Sequence, residues 1–149
     1  MNRTFLGTGV LVGVILAACN AENQPAQKAA PEAPIPAQVT LTDTQWNLED
    51  LAGKAVIANS RATLTFPEAG KVAGNGSCNR FTGTAEINGS AIKLGPLAST
   101  RMACVGEAST QETEFLKALE SAQRFAVKDG KLYLFVNGSD KPLRFDPAK

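Results

Sequence analysis

After residue 60 the chain alternates apolar and polar residues with a period of two, the pattern of strands with one buried and one wet face. In ATLTF (62–66), Ala62, Leu64 and Phe66 oppose Thr63 and Thr65. In TAEINGSAIKL (84–94), Asn88-Gly89 is the strongest short hairpin signal. A two-residue loop there sets Ile87 opposite Ser90 and Ala85 opposite Ile92. One face then collects Gly83, Ala85, Ile87, Ile92 and Leu94, and the other Thr84, Glu86 and Lys93. In RFAVKDGKLYLFV (124–136), Asp129-Gly130 pairs Val127 with Leu132 and Phe125 with Leu134. Tyr133 and Phe135 fall on the opposite face, so this strand is expected to be partly covered on both sides. A third hairpin at NGSD (137–140) places Leu143 and Phe145 on the face of Leu132 and Leu134. Pro142 marks the last strand as an edge, or as bulged at that point. TQWNL (44–48) reads as a first strand and carries the single Trp.

The period changes once. Phe115, Leu116 and Leu119, with Ala118 and Ala122, form a narrow apolar stripe at helical spacing. Ser109-x-x-Glu112 reads as its capping box. The expected helix runs over 110–122 and covers one opening or edge of the sheet. The predicted class is β-rich α+β: about seven or eight short antiparallel strands curled into an open, cracked barrel with one helix.

The N-terminus is of another kind. Phe5 to Ala18 is uncharged and mostly apolar, following Arg3. It has the length of a signal-peptide core and falls short of the roughly 20 residues of a membrane span. It ends in Leu16-Ala17-Ala18-Cys19, which resembles the bacterial lipobox, where lipid is joined to the Cys and the peptide is cut before it. Residues 1–18 therefore read as a lipoprotein signal peptide and Cys19 as the lipidation site. Residues 19–38, rich in Ala, Pro and Gln, read as a lipid-anchored flexible tether that cannot bury enough apolar surface to order itself. Residues 39–149 form one domain. The acyl chains would hold the protein on a membrane without spanning it. Asn20, where an Asp would favour inner-membrane retention, points to the outer membrane with the domain facing the periplasm.

Composition narrows the chemistry. Lys and Arg number 15 against 14 Asp and Glu, a formal net charge of +1. No basic block suggests nucleic acid, and the chain is expected to be a monomer. There is no histidine, so no Ser-His or Cys-His dyad and no imidazole metal ligand. Two thiols alone make a poor zinc site. Glu68, Glu86, Glu107, Asp129 and Asp140 are scattered over turns and polar faces and read as surface charge. No metal, cofactor or catalytic residue is expected.

GNGSCNRFTG (74–83) is the densest motif, with three glycines and a cysteine. It lacks the spacing and the following helix of a phosphate-cradling loop. Its glycines read as positive-φ positions in a tight, bulged connection. With Cys19 lipidated, Cys78 and Cys104 remain, in a compartment where disulfides persist. They are expected to form a bridge across 26 residues, which stabilises by about 3.5 kcal/mol in the chain-entropy model. Arg80 and Arg101 each lie near one of these cysteines. Either they contact an anion or a partner, or they donate to loop carbonyls; the second reading is favoured.

The assembled stretches resemble the META domain, or HslJ, family. They are Trp46-Asn47-Leu48, Ala62–Phe66, Val72-Ala73-Gly74, Ser77-Cys78-Asn79-Arg80-Phe81-Thr82-Gly83, Leu94-Gly95-Pro96-Leu97, Ser99-Thr100-Arg101-Met102-Ala103-Cys104, Glu114-Phe115 with Ala118-Leu119, and the closing hairpin. The CNRFTG and STRMAC pair is the most specific part. Ser77 departs from the pattern, since many members carry Gly before the Cys.

The resemblance implies a small, mostly β extracytoplasmic domain, often on a lipoprotein, associated with heat shock, envelope stress, drug resistance, and motility or secretion. No enzymatic activity is established for the family. The fold is said to resemble the cracked barrel of a lipid-binding pilot lipoprotein of type III secretion. The leading expectation is a non-enzymatic, lipid-anchored periplasmic protein serving envelope homeostasis or stress tolerance through binding. The alternative is a carrier of an acyl chain or another small hydrophobic ligand within the barrel. A third reading, an enzyme or a protease inhibitor, would need convergent carboxylates in a cleft or a rigid exposed loop at 74–82. A filled or a hollow interior separates the first two.

Overall fold

The computed structural model describes residues 40–149, so the expected signal peptide (1–18), the tether (19–38) and Cys19 lie outside the described residues. The strands are β1 (Thr44–Leu51), β2 (Lys54–Ala55), β3 (Thr63–Phe66), β4 (Lys71–Asn75), β5 (Arg80–Asn88), β6 (Ala91–Leu94) and β7 (Ala98–Ser99). Helix α1 (Glu107–Glu120) follows, and then β8 (Ala122–Lys128), β9 (Lys131–Val136) and β10 (Leu143–Pro147).

The sheet runs β10-β9-β8-β6-β5-β4-β3-β1, and β1 pairs back onto β10. The expected β-rich barrel with one helix is therefore present, as a ring of eight antiparallel strands to which the short β2 and β7 are added. The ring closes because β1 is paired along both of its edges. Its first half pairs β3, Trp46 opposite Leu64, and it pairs β10 from Trp46 to Asp50, with a register shift between Leu48 and Asp50. The crack narrows to one seam: β6 and β8 share a single registered pair, Ala91 with Arg124, beside a bond from Phe125 N–H to the Ser90 carbonyl.

The hairpin faces fall as the alternation predicts. Val127 faces Leu132 and Phe125 faces Leu134, across an Asp129-Gly130 turn with both φ values positive, 53° and 75°. Leu143 and Phe145 face Leu134 and Leu132. Two details differ. In the β5–β6 hairpin Ile87 faces Ile92, so the loop is Gly89-Ser90 and not Asn88-Gly89. Gly89, at φ 58°, takes the first central position of a type II′ turn. The slip moves each partner by two, so every side chain keeps its face. The last strand is not an edge either: β10 is paired by both β9 and β1, and Pro142 sits one residue before it. There Pro's missing N–H interrupts no ladder.

Helix α1 starts at Glu107, earlier than expected, behind Gly106 at φ 67° and with no side-chain cap. Ser109 lies inside the helix, so the capping-box reading fails. Ala122, counted in the apolar stripe, is the first residue of β8. Phe115 and Leu119 are fully buried. The Phe115 ring lies 6.1 Å from Phe81 and 6.1 Å from Phe145, centroid to centroid. Phe81 is on β5 and Phe145 on β10, which stand opposite one another in the ring of eight. Three aromatic rings thus cross the bore. Leu64, Phe66, Val72, Ile92, Leu132, Leu134 and Leu143 fill the space around them, each nearly inaccessible to solvent.

Candidate functional site

The CNRFTG and STRMAC stretches meet at one end of β5. Residues 76–79 turn the chain from β4 into β5, and residues 100–104 return alongside. The β5–β7 pairing, Phe81 with Ser99, is continued by Thr100 N–H to the Arg80 carbonyl at 2.9 Å and by Arg80 N–H to Thr100 Oγ1 at 3.2 Å. Cys78 and Cys104 are joined by a disulfide, their Cα atoms 6.2 Å apart.

Asn79, buried at 6% exposure, is the hub. Its Oδ1 accepts from Met102 N–H at 2.7 Å and from Thr100 Oγ1 at 2.9 Å. Its Nδ2 donates to Glu112 Oε1 at 2.7 Å and lies 3.1 Å from Cys104 Sγ. A carboxylate only accepts, which fixes the orientation of the amide. Glu112 Oε2 accepts from the backbone N–H of Asn79 at 2.6 Å and of Cys78 at 3.1 Å. The neighbouring Gln111 takes Ile57 N–H on Oε1 at 2.8 Å and donates from Nε2 to Ser60 and Ser77 Oγ, each at 2.7 Å. One half-buried turn is thereby fastened to the helix, to residues 57–60 and to the 100–104 segment. No buried side-chain N or O among the described residues lacks a partner, as polar groups in a low-dielectric interior require.

The glycines serve this arrangement by their size. Gly76 does not have positive φ, contrary to the expectation for this motif; a Cβ there would lie 2.6 Å from Glu112 Cγ. Gly74 likewise leaves no room, since its Cβ would meet the Thr63 carbonyl at 2.1 Å. The positive φ falls on Ser77, at 123°, the position where the family pattern often has Gly.

Glu112 was not legible as a site residue. Its sequence context, three residues after a Ser at a helix start, matches a capping box equally well. A lone carboxylate on a helix carries no periodic mark of burial.

Arg80 and Arg101 are both exposed. Among the described residues neither guanidinium has a hydrogen-bond or ion-pair partner, so the reading in which they donate to loop carbonyls is not what the structure shows. Met102 and Val105, at 59% and 85% exposure, follow Arg101 in the chain. The acids called surface charge are exposed, and Glu68 pairs with Lys71. Among the described residues no group of three or more His, Cys, Asp or Glu gathers as a metal site would need.

The shifted ionisations lie elsewhere. On the seam that closes the barrel, Glu49 Oε2 accepts from Lys131 Nζ at 2.6 Å and Arg144 Nε at 3.0 Å, and Lys131 also meets Asp146 at 2.8 Å. The Lys131 bond, then the Arg144 bond, lower the Glu49 pKa. Asp146, then Glu49, raise that of Lys131.

Residues 39–149 match the META domain, and the chain belongs to that family. No curated protein matches it in sequence. Among solved structures, the solution structure of a protein from Burkholderia xenovorans is similar at 24% identity and TM-score 0.61, covering 80% of this chain and 99% of that one. A second solution structure is similar at 22% identity and TM-score 0.58, covering 71% and 90%. The crystal structure of a DUF4847 family protein from Bacteroides vulgatus follows at 15% identity and TM-score 0.53, covering 71% and 93%. At these identities the likeness is one of fold.

Proposed function

We propose that this META domain is a non-enzymatic binding module, lipid-anchored through Cys19 to the outer membrane, facing the periplasm and serving envelope homeostasis or stress tolerance. Its binding face is the pinned loop pair, presenting Arg80, Arg101, Met102 and Val105. The observation that carries this reading is the contrast at residues 76–105. A buried network and a disulfide hold the backbone, while two arginines and two large apolar side chains project from it. Exposed apolar groups on a pre-ordered segment bind with little ordering cost, and Arg and Met are enriched at interfaces. Binding rather than catalysis is supported by Glu112, a buried carboxylate whose oxygens are both taken by loop donors. The carrier reading finds less support, because the Phe81–Phe115–Phe145 row occupies the bore.

Complementation tests the proposal. Cells lacking the protein should become sensitive to envelope-damaging agents. Wild-type protein should restore tolerance, whereas Cys19→Ala and the double variant Met102→Glu, Val105→Lys should not, although the double variant folds. Full rescue by the double variant would contradict the assigned face. Unchanged membrane partitioning of Cys19→Ala would contradict the anchor.

A further inference from the structure

Beside the disulfide lies a depression of about 560 Å³. Arg61 and Arg80 line it, with Asn75, Ser77, Thr100, Met102 and the Cys78 end of the bridge, and no carboxylate does. Arg61 comes from the chain ahead of β3 and Arg80 from the start of β5, so the fold brings together two cations 19 positions apart. Two uncompensated guanidiniums around one hollow raise the local potential and favour an anion.

We infer that this depression binds a phosphate monoester. Charge and geometry select that class. A phosphate monoester is close to a dianion at neutral pH, which matches two guanidiniums; a single carboxylate would leave one of them unpaired. Arginine's planar fork donates two parallel N–H bonds to phosphate oxygens. Neutral donors are at hand. Asn75 Oδ1 already accepts from Ser77 N–H at 2.9 Å, which turns its Nδ2 away from that bond and leaves it to donate. Ser77 Oγ accepts from Gln111 Nε2 and lies 3.4 Å from Ser60 Oγ, which already accepts from Ala62 N–H and Gln111 Nε2; Ser60 is therefore the donor of that contact, and the proton of Ser77 remains to be given. The backbone between them is in place before any ligand arrives, because Asn79 and Glu112 hold the turn. A bare phosphate fills only part of 560 Å³. Met102 and the disulfide offer an apolar wall for the group that the phosphate is attached to. That group is either a soluble sugar or the glycerol of a lipid headgroup, and the two share the monoester chemistry.

The proposal deepens the binding-face reading and rests on it through Arg80 and Met102, but its test does not use envelope tolerance as a readout. The full chain in detergent is titrated with glucose 6-phosphate and, separately, with dihexanoyl phosphatidic acid against dihexanoyl phosphatidylcholine. Amide resonances of Ser77, Arg80 and Thr100 are followed. At least one monoester should give saturable shifts. Arg61→Gln and Arg80→Gln should each weaken binding by roughly tenfold or more, with unchanged melting temperature, since both side chains are exposed. Lys128→Gln, at the exposed end of β8, should bind as wild type does. A response to the sugar phosphate alone places the ligand in solution, and a response to the lipid alone places it in a membrane. Absence of saturable shifts with either monoester overturns the proposal. So does undiminished binding by Arg61→Gln and Arg80→Gln, or an equal loss in Lys128→Gln.

Discussion

Glu112 grips Asn79 twice: Oε2 accepts its backbone N–H at 2.6 Å and Oε1 its side-chain Nδ2 at 2.7 Å. Through this pair the helix holds a turn that lies more than 30 residues earlier in the chain. Glu112→Gln replaces an acceptor oxygen by a donor and sets N–H against N–H in a buried place. Chemical denaturation should show a loss of about 1–3 kcal/mol. The Asn79→Ala, Glu112→Ala double variant should lose less than the sum of the singles, by about 0.5–3 kcal/mol. Additive costs would mean that the two residues act separately.

The disulfide shares this task, and does not perform it alone. Asn79 Oδ1 holds Thr100 and Met102 through bonds in which neither Cys78 nor Cys104 takes part. Cys78→Ser and Cys104→Ser should each lower stability by about 2–4 kcal/mol. The double variant should be no worse than either single one, and all three should keep the native fold by circular dichroism. Free thiols at both Cys78 and Cys104 in denatured, unreduced protein would remove the bridge from the account.

Phe115 bridges opposite walls of the barrel and is fully buried. Phe115→Ala should lower stability by about 3–5 kcal/mol, the usual cost of emptying an aromatic site in a core. A cost within about 0.5 kcal/mol, as at an exposed position, would reopen the carrier reading.

Acidification should act through the seam of β1, β9 and β10. The Glu49 pKa is lowered in the fold, first by Lys131 and then by Arg144. Its stabilisation is therefore present above the unfolded carboxylate pKa and lost as pH falls through the lower, folded one. Lys131 has the opposite sign: its raised pKa gives stability that is lost only as pH rises past the lysine range. Glu49 and Lys131 are each 34% exposed, so salt should weaken both effects. Melting temperatures from neutral to acidic pH should fall less steeply for Glu49→Gln than for wild type. Parallel curves would show that the ion cluster does not couple to folding.

The hairpins were legible because a period of two and Asp-Gly or Asn-Gly turns both leave marks in a sequence. The Asn88-Gly89-Ser90 slip shows the limit of that reading. Two adjacent turn types fit one tripeptide, and both keep Ile87 and Ile92 on the same face. Closure of the ring was not legible, because it depends on pairing between the two ends of the domain, Trp46 with Pro147 and Leu48 with Phe145, for which no local pattern in the sequence gives a mark. The disulfide could be argued from cysteine count and compartment. The Asn79–Glu112 lock could not, since its partners are 33 residues apart and neither belongs to a periodic pattern. The glycines of the motif were read as conformational, and at Gly76 the structural need is for room beside Glu112.

The central claim is that the pinned loop pair is the face by which the domain binds in the envelope. Site-specific photocrosslinking in living cells tests it most directly, with the crosslinking residue placed at Val105, 85% exposed, and in a control at the exposed Lys128. The account predicts a discrete adduct from Val105 that is absent from Lys128 and is lost when Met102→Glu is added. The same adducts from both positions, or none from Val105, would contradict it.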